Sequence, residues 1–279
     1  TEATGKFDKL DGDYQKVSHI EFVDQNPIGK SSRSNPVTYV KAYDHIRQLF
    51  SEQPIAIKHR FKPAFFSFNV TGGRCDTCEG EGTVKIEMQF MADLHLTCDN
   101  CKGQRFKKEI LEVRYKQKNI NEILNLTVSE ALIFFADKKN ICNKIRPLDD
   151  VGLGYVKLGQ SSSSLSGGEA QRVKLASFLS KKGANKNDHT LFLFDEPTTG
   201  LHFHDIKKLL DSINALIDEK NTAVIIEHNI EVIKNADWII DLGPEGGANG
   251  GFINFAGLPE DLVNLRSQNH TAHYLKEKL

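Results

Sequence analysis

The chain has 279 residues, of which 39% are hydrophobic and 26% are charged, and its formal net charge is −1. This composition is typical of a globular protein, and it argues against wholesale disorder and against a protein that coats nucleic acid indiscriminately. The sequence has no apolar run of the roughly 20 residues that a bilayer-spanning helix needs, and it starts with neither a methionine nor a signal peptide. We expect a cytoplasmic protein that makes no membrane contact, and a chain that begins inside a longer polypeptide.

The N-terminal segment predicts a strand and a loop. Residues 17–24 alternate apolar and polar side chains, and Pro27 and Gly29 then force a loop. Gly29-Lys30-Ser31 resembles the end of a phosphate-binding loop, but Asp24 stands where that loop requires its first glycine. The other Gly-Lys pair, at residues 5 and 6, is followed by phenylalanine and fails as well. The 279 residues therefore contain no Walker A motif.

Residues 39–50 predict a helix, because their large apolar side chains share one face. Phe65, Phe66 and Phe68 follow as an aromatic run. We expect this run to be a hydrophobic plug between two domains; stacking on nucleic-acid bases is the alternative.

Two Cys-x-x-Cys pairs give the strongest metal signal. Nineteen residues separate them, a spacing typical of four-thiolate zinc sites. Four thiolates without histidine favour a closed structural site over a catalytic one; a redox dithiol or two unrelated pairs are the alternatives. Alternation at 83–91 and 106–115 predicts two β-ribbons pinned by the metal. The predicted ligands are Cys75, Cys78, Cys98 and Cys101, and the remaining Cys142 is expected to be a buried thiol.

Charge is uneven around these cysteines. Residues 58–118 contain twelve Lys and Arg against eight Asp and Glu. The segment therefore has a local surplus of four positive charges.

Two capping boxes predict helix starts in the second half of the chain. Thr127 with Glu130, and Ser166 with Glu169, have the spacing at which a hydroxyl and a carboxylate cap each other's backbone N–H. Gly167 and Gly168 leave the first turn of the second helix bare, so its N–H groups can meet a phosphate. The serine run at 161–164 is expected to be a phosphate-facing loop, with a flexible linker as the alternative.

The remainder alternates strands and helices in the manner of a parallel α/β sheet. The strands at 191–194, 223–226 and 238–242 are apolar runs, as expected for strands covered on both faces. Asp195 and Glu196 end the first of them, a position suited to Mg²⁺ and water beside a nucleotide. His228 follows the second. The glycine-rich segment at 243–251 predicts a hairpin loop.

Three of these motifs resemble those of ABC-type ATPases: Leu-Ser-Gly-Gly-Glu-Ala-Gln-Arg at 165–172, Phe-Asp-Glu-Pro-Thr-Thr-Gly-Leu-His at 194–202 and Ile-Glu-His-Asn at 226–229. The residues of these motifs are similar to those in the C-terminal part of the UvrA family of excinuclease components, as are Asp-Gln-Asn-Pro-Ile-Gly at 24–29 and Asp-Leu-Gly-Pro-Glu-Gly-Gly at 241–247. Members of that family are the damage-recognition ATPases of bacterial nucleotide excision repair. The resemblance implies an ABC-type ATPase fold with an inserted zinc module.

The resemblance also implies roles for individual residues. Gln25 would sense Mg²⁺ and the γ-phosphate, and Asp195 would help to hold the Mg²⁺. Glu196 would polarise the attacking water and His228 would contact the γ-phosphate. The signature residues Ser166, Gly167 and Gly168 would face a nucleotide held by the opposite ATPase half.

The implied partners are ATP with Mg²⁺, one structural Zn²⁺, damaged double-stranded DNA, the other excinuclease components and a second copy of the full-length protein. The implied organisation is an N-terminal part of the ATPase domain at 1–57, a zinc-binding insertion at 58–118, a helical connector at 119–160 and the rest of the ATPase domain at 161–279. Without a Walker A motif, we expect these residues alone neither to bind ATP tightly nor to hydrolyse it. One alternative is a related protein that protects against DNA-binding drugs. A second is an ABC protein of a transporter or a translation factor, but the four-cysteine insertion argues against it.

Overall fold

The structure is a computed structural model that describes residues 5, 7–29, 33–86, 88, 94–180, 189–247, 250–265 and 269–278. The chain forms two compact units: unit 1 is Thr1–Val23 with Asn185–Leu279, and unit 2 is Asp24–Ala184. Among the residues described, no helix is long and apolar enough to cross a bilayer. The four-part division expected from the motifs stays a prediction.

The described residues form strands and helices in both units. The strands are β1 (His19–Val23), β2 (Thr83–Ile86), β3 (Leu94–Thr97), β4 (Thr190–Asp195), β5 (Thr222–Ile226), β6 (Ile239–Gly243) and β7 (Phe252–Gly257). The helices are α1 (Pro36–Tyr39), α2 (Ala42–Ser51), α3 (Pro54–Lys58), α4 (Lys108–Leu111), α5 (Ile120–Leu124), α6 (Val128–Phe134), α7 (Lys139–Asp150), α8 (Gly167–Leu179), α9 (Phe203–Ile217), α10 (Ile230–Ile233), α11 (Pro259–Val263) and α12 (His270–Lys276).

Unit 1 contains a three-stranded parallel sheet in the order β1-β4-β5, which confirms the predicted α/β class. The central strand β4 places Phe192 and Phe194 in the core, at 4% and 1% exposure. The expectation of coverage on both faces fails at the edge strand β5, and the other edge strand, β1, which was predicted to alternate, is also open on one face. Their outward side chains are 50–65% exposed: Ile20, Phe22, Val224 and Ile226. Within the residues described, the sheet is therefore buried on one face only.

The third predicted strand of this region does not join the parallel sheet. β6 pairs antiparallel with β7, with Ile239 opposite Gly257 and Gly243 opposite Phe252. This pairing confirms the predicted hairpin between residues 243 and 251, of which Ala248 and Asn249 lie outside the described residues. The hairpin connection explains the difference, because a short turn can only return the chain antiparallel to itself.

Unit 2 is helical around an apolar core, and its helix starts follow the sequence closely. α2 buries Tyr43, Ile46, Leu49 and Phe50 on one face, as predicted. Both predicted capping boxes are present, at Thr127 before α6 and at Ser166 before α8. Each hydroxyl accepts the backbone N–H three residues on, while the glutamate there accepts the N–H of the cap.

The aromatic run continues the core of unit 2. Phe66 and Phe68 are fully buried, and their rings lie 5.6 Å from Phe50 and 5.2 Å from Tyr43, centroid to centroid. Tyr43 also donates a hydrogen bond of 2.6 Å to the carbonyl of Phe66. Because Phe68 meets the ring of Phe106 at 6.4 Å, the run joins α2 to the cysteine-bearing segment.

The second predicted ribbon strand, at 106–115, is wrong. The chain there forms the helical turn α4, and β2 pairs instead with β3. The buried side chains of the segment are Phe106, Ile110 and Val113, at 0–1% exposure. Their spacing of four and then three residues is that of a helix face, not of a strand.

Candidate metal and nucleotide sites

The four predicted cysteines meet in one buried cluster in unit 2. Their sulfur atoms all lie within 4.8 Å of one another. The Cys75 and Cys98 sulfurs are 4.0 Å apart, and those of Cys78 and Cys101 are 3.6 Å apart. A tetrahedral ion with metal–sulfur bonds of about 2.3 Å would separate its ligands by about 3.8 Å. The cluster therefore has the dimensions of a four-thiolate metal site. Cys142 lies outside it, where its thiol approaches the Phe135 carbonyl at 3.0 Å.

The backbone repeats one turn at both cysteine pairs. After each pair come a residue in the left-handed region and a glycine: Glu79 (φ 50°) with Gly80 (φ 86°), and Lys102 (φ 47°) with Gly103 (φ 81°). A Cβ on Gly80 would also lie only 2.2 Å from the Phe68 carbonyl oxygen. Glycine is thus required there by conformation and by close approach.

Hydrogen bonds to sulfur favour the thiolate form at Cys75, whereas burial keeps the pKa of Cys78 and the pKa of Cys101 raised. The Gly82 N–H donates to the Cys78 sulfur at 3.2 Å, and the Asn100 amide donates to the Cys75 sulfur at 3.7 Å. Burial raises the pKa of Cys75, but backbone N–H groups of Cys78 and Thr77 outweigh it and bring that pKa to about 7. Burial and the neighbouring sulfurs raise the pKa of Cys101 to about 12. Four thiolates this close repel one another, so the donor set fits a divalent cation.

The predicted signature residues begin α8 in unit 2. Ser166 is exposed, and its side chain caps the helix by accepting the Glu169 N–H at 3.2 Å. A serine can also donate one hydrogen bond, and the cap does not use that donor. Gly168 is buried, as are Ala170, Gln171 and Arg172, so the helix start is held firmly in the unit.

A tyrosine that the sequence patterns did not single out supports the same cap. The Tyr155 hydroxyl donates to one oxygen of Glu169 at 2.7 Å, while the other oxygen accepts the Ser166 N–H at 2.8 Å. Burial raises the pKa of Glu169, but these hydrogen bonds outweigh it, and the net pKa is lowered. The carboxylate is therefore ionised and occupied on both oxygens at neutral pH.

Gln25 lies against the signature helix within unit 2. A Cβ placed on Gly167 would be 2.9 Å from the Gln25 side-chain oxygen and 3.0 Å from its Cβ. The preceding residue, Asp24, forms a partly buried ion pair with Lys174 of α8, whose ammonium also donates to the Asp24 carbonyl at 3.1 Å. Two contacts therefore tie the Gln25 loop to α8. Lys30 and Ser31 of the rejected phosphate loop lie outside the described residues.

The serine run that precedes α8 forms a short 3₁₀ turn at Ser162–Ser164, with Ser162 buried. The Ser162 N–H donates to the Ser34 carbonyl at 2.8 Å. This turn packs into unit 2.

The predicted carboxylates stand at the carboxyl end of β4 in unit 1. Asp195 is exposed and pairs in register with Ile226, the last residue of β5. Glu196 follows with φ 43°, a conformation that is uncommon for residues other than glycine. Its N–H donates to the Ile226 carbonyl at 2.9 Å, which fixes the strained residue to the neighbouring strand.

His228 reaches the same edge from β5. Its Nδ1 lies 3.9 Å from a Glu196 carboxylate oxygen, and its side chain is 80% exposed. The other Glu196 oxygen lies 3.4 Å from the Thr199 hydroxyl, a weak hydrogen bond. Parallel strands deliver both groups to one edge, so a carboxylate and an imidazole face solvent side by side. Gln25 and the signature residues belong to unit 2, whereas Asp195, Glu196 and His228 belong to unit 1.

Comparisons with known proteins agree on one family. The chain is 53% identical to UvrABC system protein A of Clostridium tetani, over 95% of this chain and 28% of that protein. It is 51% identical to UvrABC system protein A of Methanothermobacter thermautotrophicus, over 99% of this chain and 28% of that protein.

A solved structure agrees with these sequences. The crystal structure of UvrA2 from Deinococcus radiodurans superposes with a TM-score of 0.89 at 42% identity, over 97% of this chain and 33% of that one. No protein-family model matches the chain. Nearly all of these 279 residues thus align with about 28% of the length of the curated relatives. The chain belongs to the UvrABC system protein A family.

Proposed function

We propose that this chain is a segment of the damage-recognition ATPase of bacterial nucleotide excision repair, and that it contributes nucleotide-binding and metal-binding parts to that enzyme. The observation that carries the proposal is the edge of the unit 1 sheet. There Asp195 ends β4, and Glu196 and His228 lie 3.9 Å apart in a member of the UvrABC system protein A family.

Each residue of that edge has a chemical task in ATP hydrolysis. Asp195 is an exposed carboxylate and helps to hold Mg²⁺. Glu196 polarises the attacking water, since its carboxylate stands next to the Asp195 position at the strand end. His228 contacts the γ-phosphate. In unit 2, Gln25 senses the metal and the phosphate, and Ser166 donates its remaining O–H to a nucleotide from another ATPase half.

The cysteine cluster holds one structural Zn²⁺ in this proposal. Its four sulfurs match a tetrahedral site, and all four side chains are at most 8% exposed, so no position is open for a substrate. The cation neutralises the thiolates and fixes β2, β3 and the two turns. Retention of reduced thiols also fits a cytoplasmic protein.

DNA is the proposed macromolecular substrate. The segment 58–118, which contains the four cysteines, has the basic surplus and supplies phosphate contacts that do not read the base sequence. Duplex binding is then expected to weaken with salt, with a slope of about −0.9 per neutralised phosphate on logarithmic axes. The remaining proposed partners are the other components of the UvrABC system and a second copy of the full-length protein.

The test uses the full-length protein and measures phosphate release from ATP. Glu196→Gln keeps the size of the side chain and removes its charge, and it is expected to lower kcat about 10²- to 10⁴-fold. Glu260→Gln makes the same chemical change at an exposed position of α11 and is expected to leave kcat unchanged. Equal rates for the wild type and Glu196→Gln would refute the assignment.

The 279 residues alone provide a second test. They lack a Walker A motif, so they are expected to show no ATP turnover above background. Turnover by this polypeptide that Glu196→Gln abolishes would show that its phosphate site is complete.

A further inference from the structure

A carboxylate next to the histidine collects four hydrogen bonds. One oxygen of Glu227 accepts the Thr198 N–H at 2.8 Å and the Thr198 hydroxyl at 2.6 Å. The other oxygen accepts the backbone N–H of His228 at 3.0 Å and of Asn229 at 3.2 Å. Thr198 is 9% exposed, so its two bonds are partly shielded from water.

These four donors come from two different loops. Thr198 belongs to the loop after β4, two residues beyond Glu196, and His228 and Asn229 belong to the loop after β5. An ionised carboxylate has about four acceptor sites and no donor. One oxygen of Glu227 accepts only from the loop after β4 and the other only from the loop after β5, and hydrogen bonds to a charged acceptor are stronger than neutral ones. The side chain therefore joins the Glu196 loop to the His228 loop.

We infer that Glu227 is a positioning residue for the ATPase reaction: it holds the His228 loop against the Glu196–Thr198 loop, and so sets the distance between the imidazole and the carboxylate. The inference rests on the proposed function of Glu196 and His228. These two side chains do not fix their own separation, because the 3.9 Å between them exceeds a hydrogen bond.

Glutamine is the sharpest replacement for this carboxylate. It has the same shape, but one of its two terminal atoms is an NH₂ group that cannot accept. In either orientation, Glu227→Gln turns a donor toward the Thr198 pair or toward the His228 and Asn229 pair. At least one of the backbone N–H groups of Thr198, His228 and Asn229 then loses its acceptor, while the volume of the side chain stays unchanged.

The experiment uses the full-length protein and compares ATP kinetics with amide hydrogen exchange. Glu227→Gln is expected to lower kcat about 10- to 100-fold, with the KM for ATP changed by less than about threefold. Exchange at residues 198–199 or 227–229 is expected to accelerate. Thr198→Val removes one donor and is expected to lower kcat by a smaller factor. Thr198→Ser keeps the hydroxyl and is expected to retain the kcat of the wild type. Glu260→Gln is the matched control.

A double variant tests the shared role. If Thr198 acts through Glu227, Thr198→Val lowers kcat less in the Glu227→Gln background than in the wild type. Fully additive losses of kcat in the double variant would overturn the inference. A rise in the KM for ATP as large as the fall in kcat would also overturn it, and so would a fall in melting temperature large enough to explain the kinetic and the exchange changes.

The outcomes separate this inference from the proposed function. If Glu196→Gln abolishes turnover but Glu227→Gln changes neither kcat nor exchange, only the positioning role fails. If the wild type hydrolyses no ATP, the proposed function fails, and unchanged exchange in Glu227→Gln would then overturn the bridge itself.

Discussion

Replacement of one cysteine tests the metal site most directly. Cys98 is fully buried, and its sulfur lies 4.0 Å from that of Cys75. Cys98→Ser substitutes a hydroxyl that is neutral at physiological pH for a thiolate, with little change in volume. Cys142→Ser is the matched control, because its thiol is also buried but lies outside the cluster.

The expected magnitude follows from the number of ligands. Structural zinc sites of small modules bind with about 10–16 kcal/mol. Divided evenly over the four sulfurs of this cluster, each thiolate contributes about 2.5–4 kcal/mol, which is about a 10²- to 10³-fold change in affinity.

The assay is the metal content of purified protein, followed by transfer of the ion to a chromogenic chelator. The wild type and Cys142→Ser are expected to contain one Zn²⁺ per chain and to release it slowly. Cys98→Ser is expected to lose its ion to the chelator at a concentration at which the wild type and Cys142→Ser keep theirs. Equal zinc content and equal chelator resistance in all three proteins would refute the assignment of the cluster as a metal site.

The remaining predictions concern packing and capping. Phe68→Ala empties a fully buried position and is expected to cost about 3–5 kcal/mol of unfolding free energy. Phe203→Ala changes a side chain that is 65% exposed and is expected to cost far less. Denaturant titration measures both costs, and similar values would contradict the assigned core. Tyr155→Phe removes the hydrogen bond to Glu169 and is expected to raise the pKa of that carboxyl toward 4.5. Because the folded-state pKa is the lower one, the capping stability is present above the unfolded pKa and is lost as pH falls. Stability curves of the wild type and Tyr155→Phe are therefore expected to converge at low pH, and a constant difference across pH would contradict this. Ser166→Ala is expected to cost about 0.5–2 kcal/mol through the lost cap, measured by the same titration, and an unchanged stability would count against the cap.

Local patterns predicted the elements whose causes are local. The capping box at Ser166 depends on residues three apart, and the apolar face of α2 depends on a period that any helix has. The cysteine pairs were predictable for the same reason, since a Cys-x-x-Cys turn already places two ligands side by side. The edge of the parallel sheet followed from apolar runs ending in polar residues.

Other features depend on contacts between distant residues. Glu227 bridges to Thr198 across 29 residues, and only the parallel pairing of β4 with β5 brings them together. The positive φ of Glu196 has no sequence signature, because that conformation is rare for glutamate. The strand predicted at 106–115 failed because apolar and polar residues alternate over only part of this segment, whereas the buried side chains of Phe106, Ile110 and Val113 have the spacing of a helix face.

The contact between Gly167 and Gln25 bears on how the signature motif tolerates substitution. A Cβ at Gly167 would lie 2.9 Å from the Gln25 side-chain oxygen and 3.0 Å from the Gln25 Cβ, so a larger residue there would require Gln25 to shift before any nucleotide binds. Under the proposed function, selection for a correctly folded unit 2 and selection for ATP turnover act on the same residue. A descendant without that function would still be under pressure to retain the glycine as long as Gln25 stayed in place, whereas Ser166, exposed at the helix start, would be released sooner.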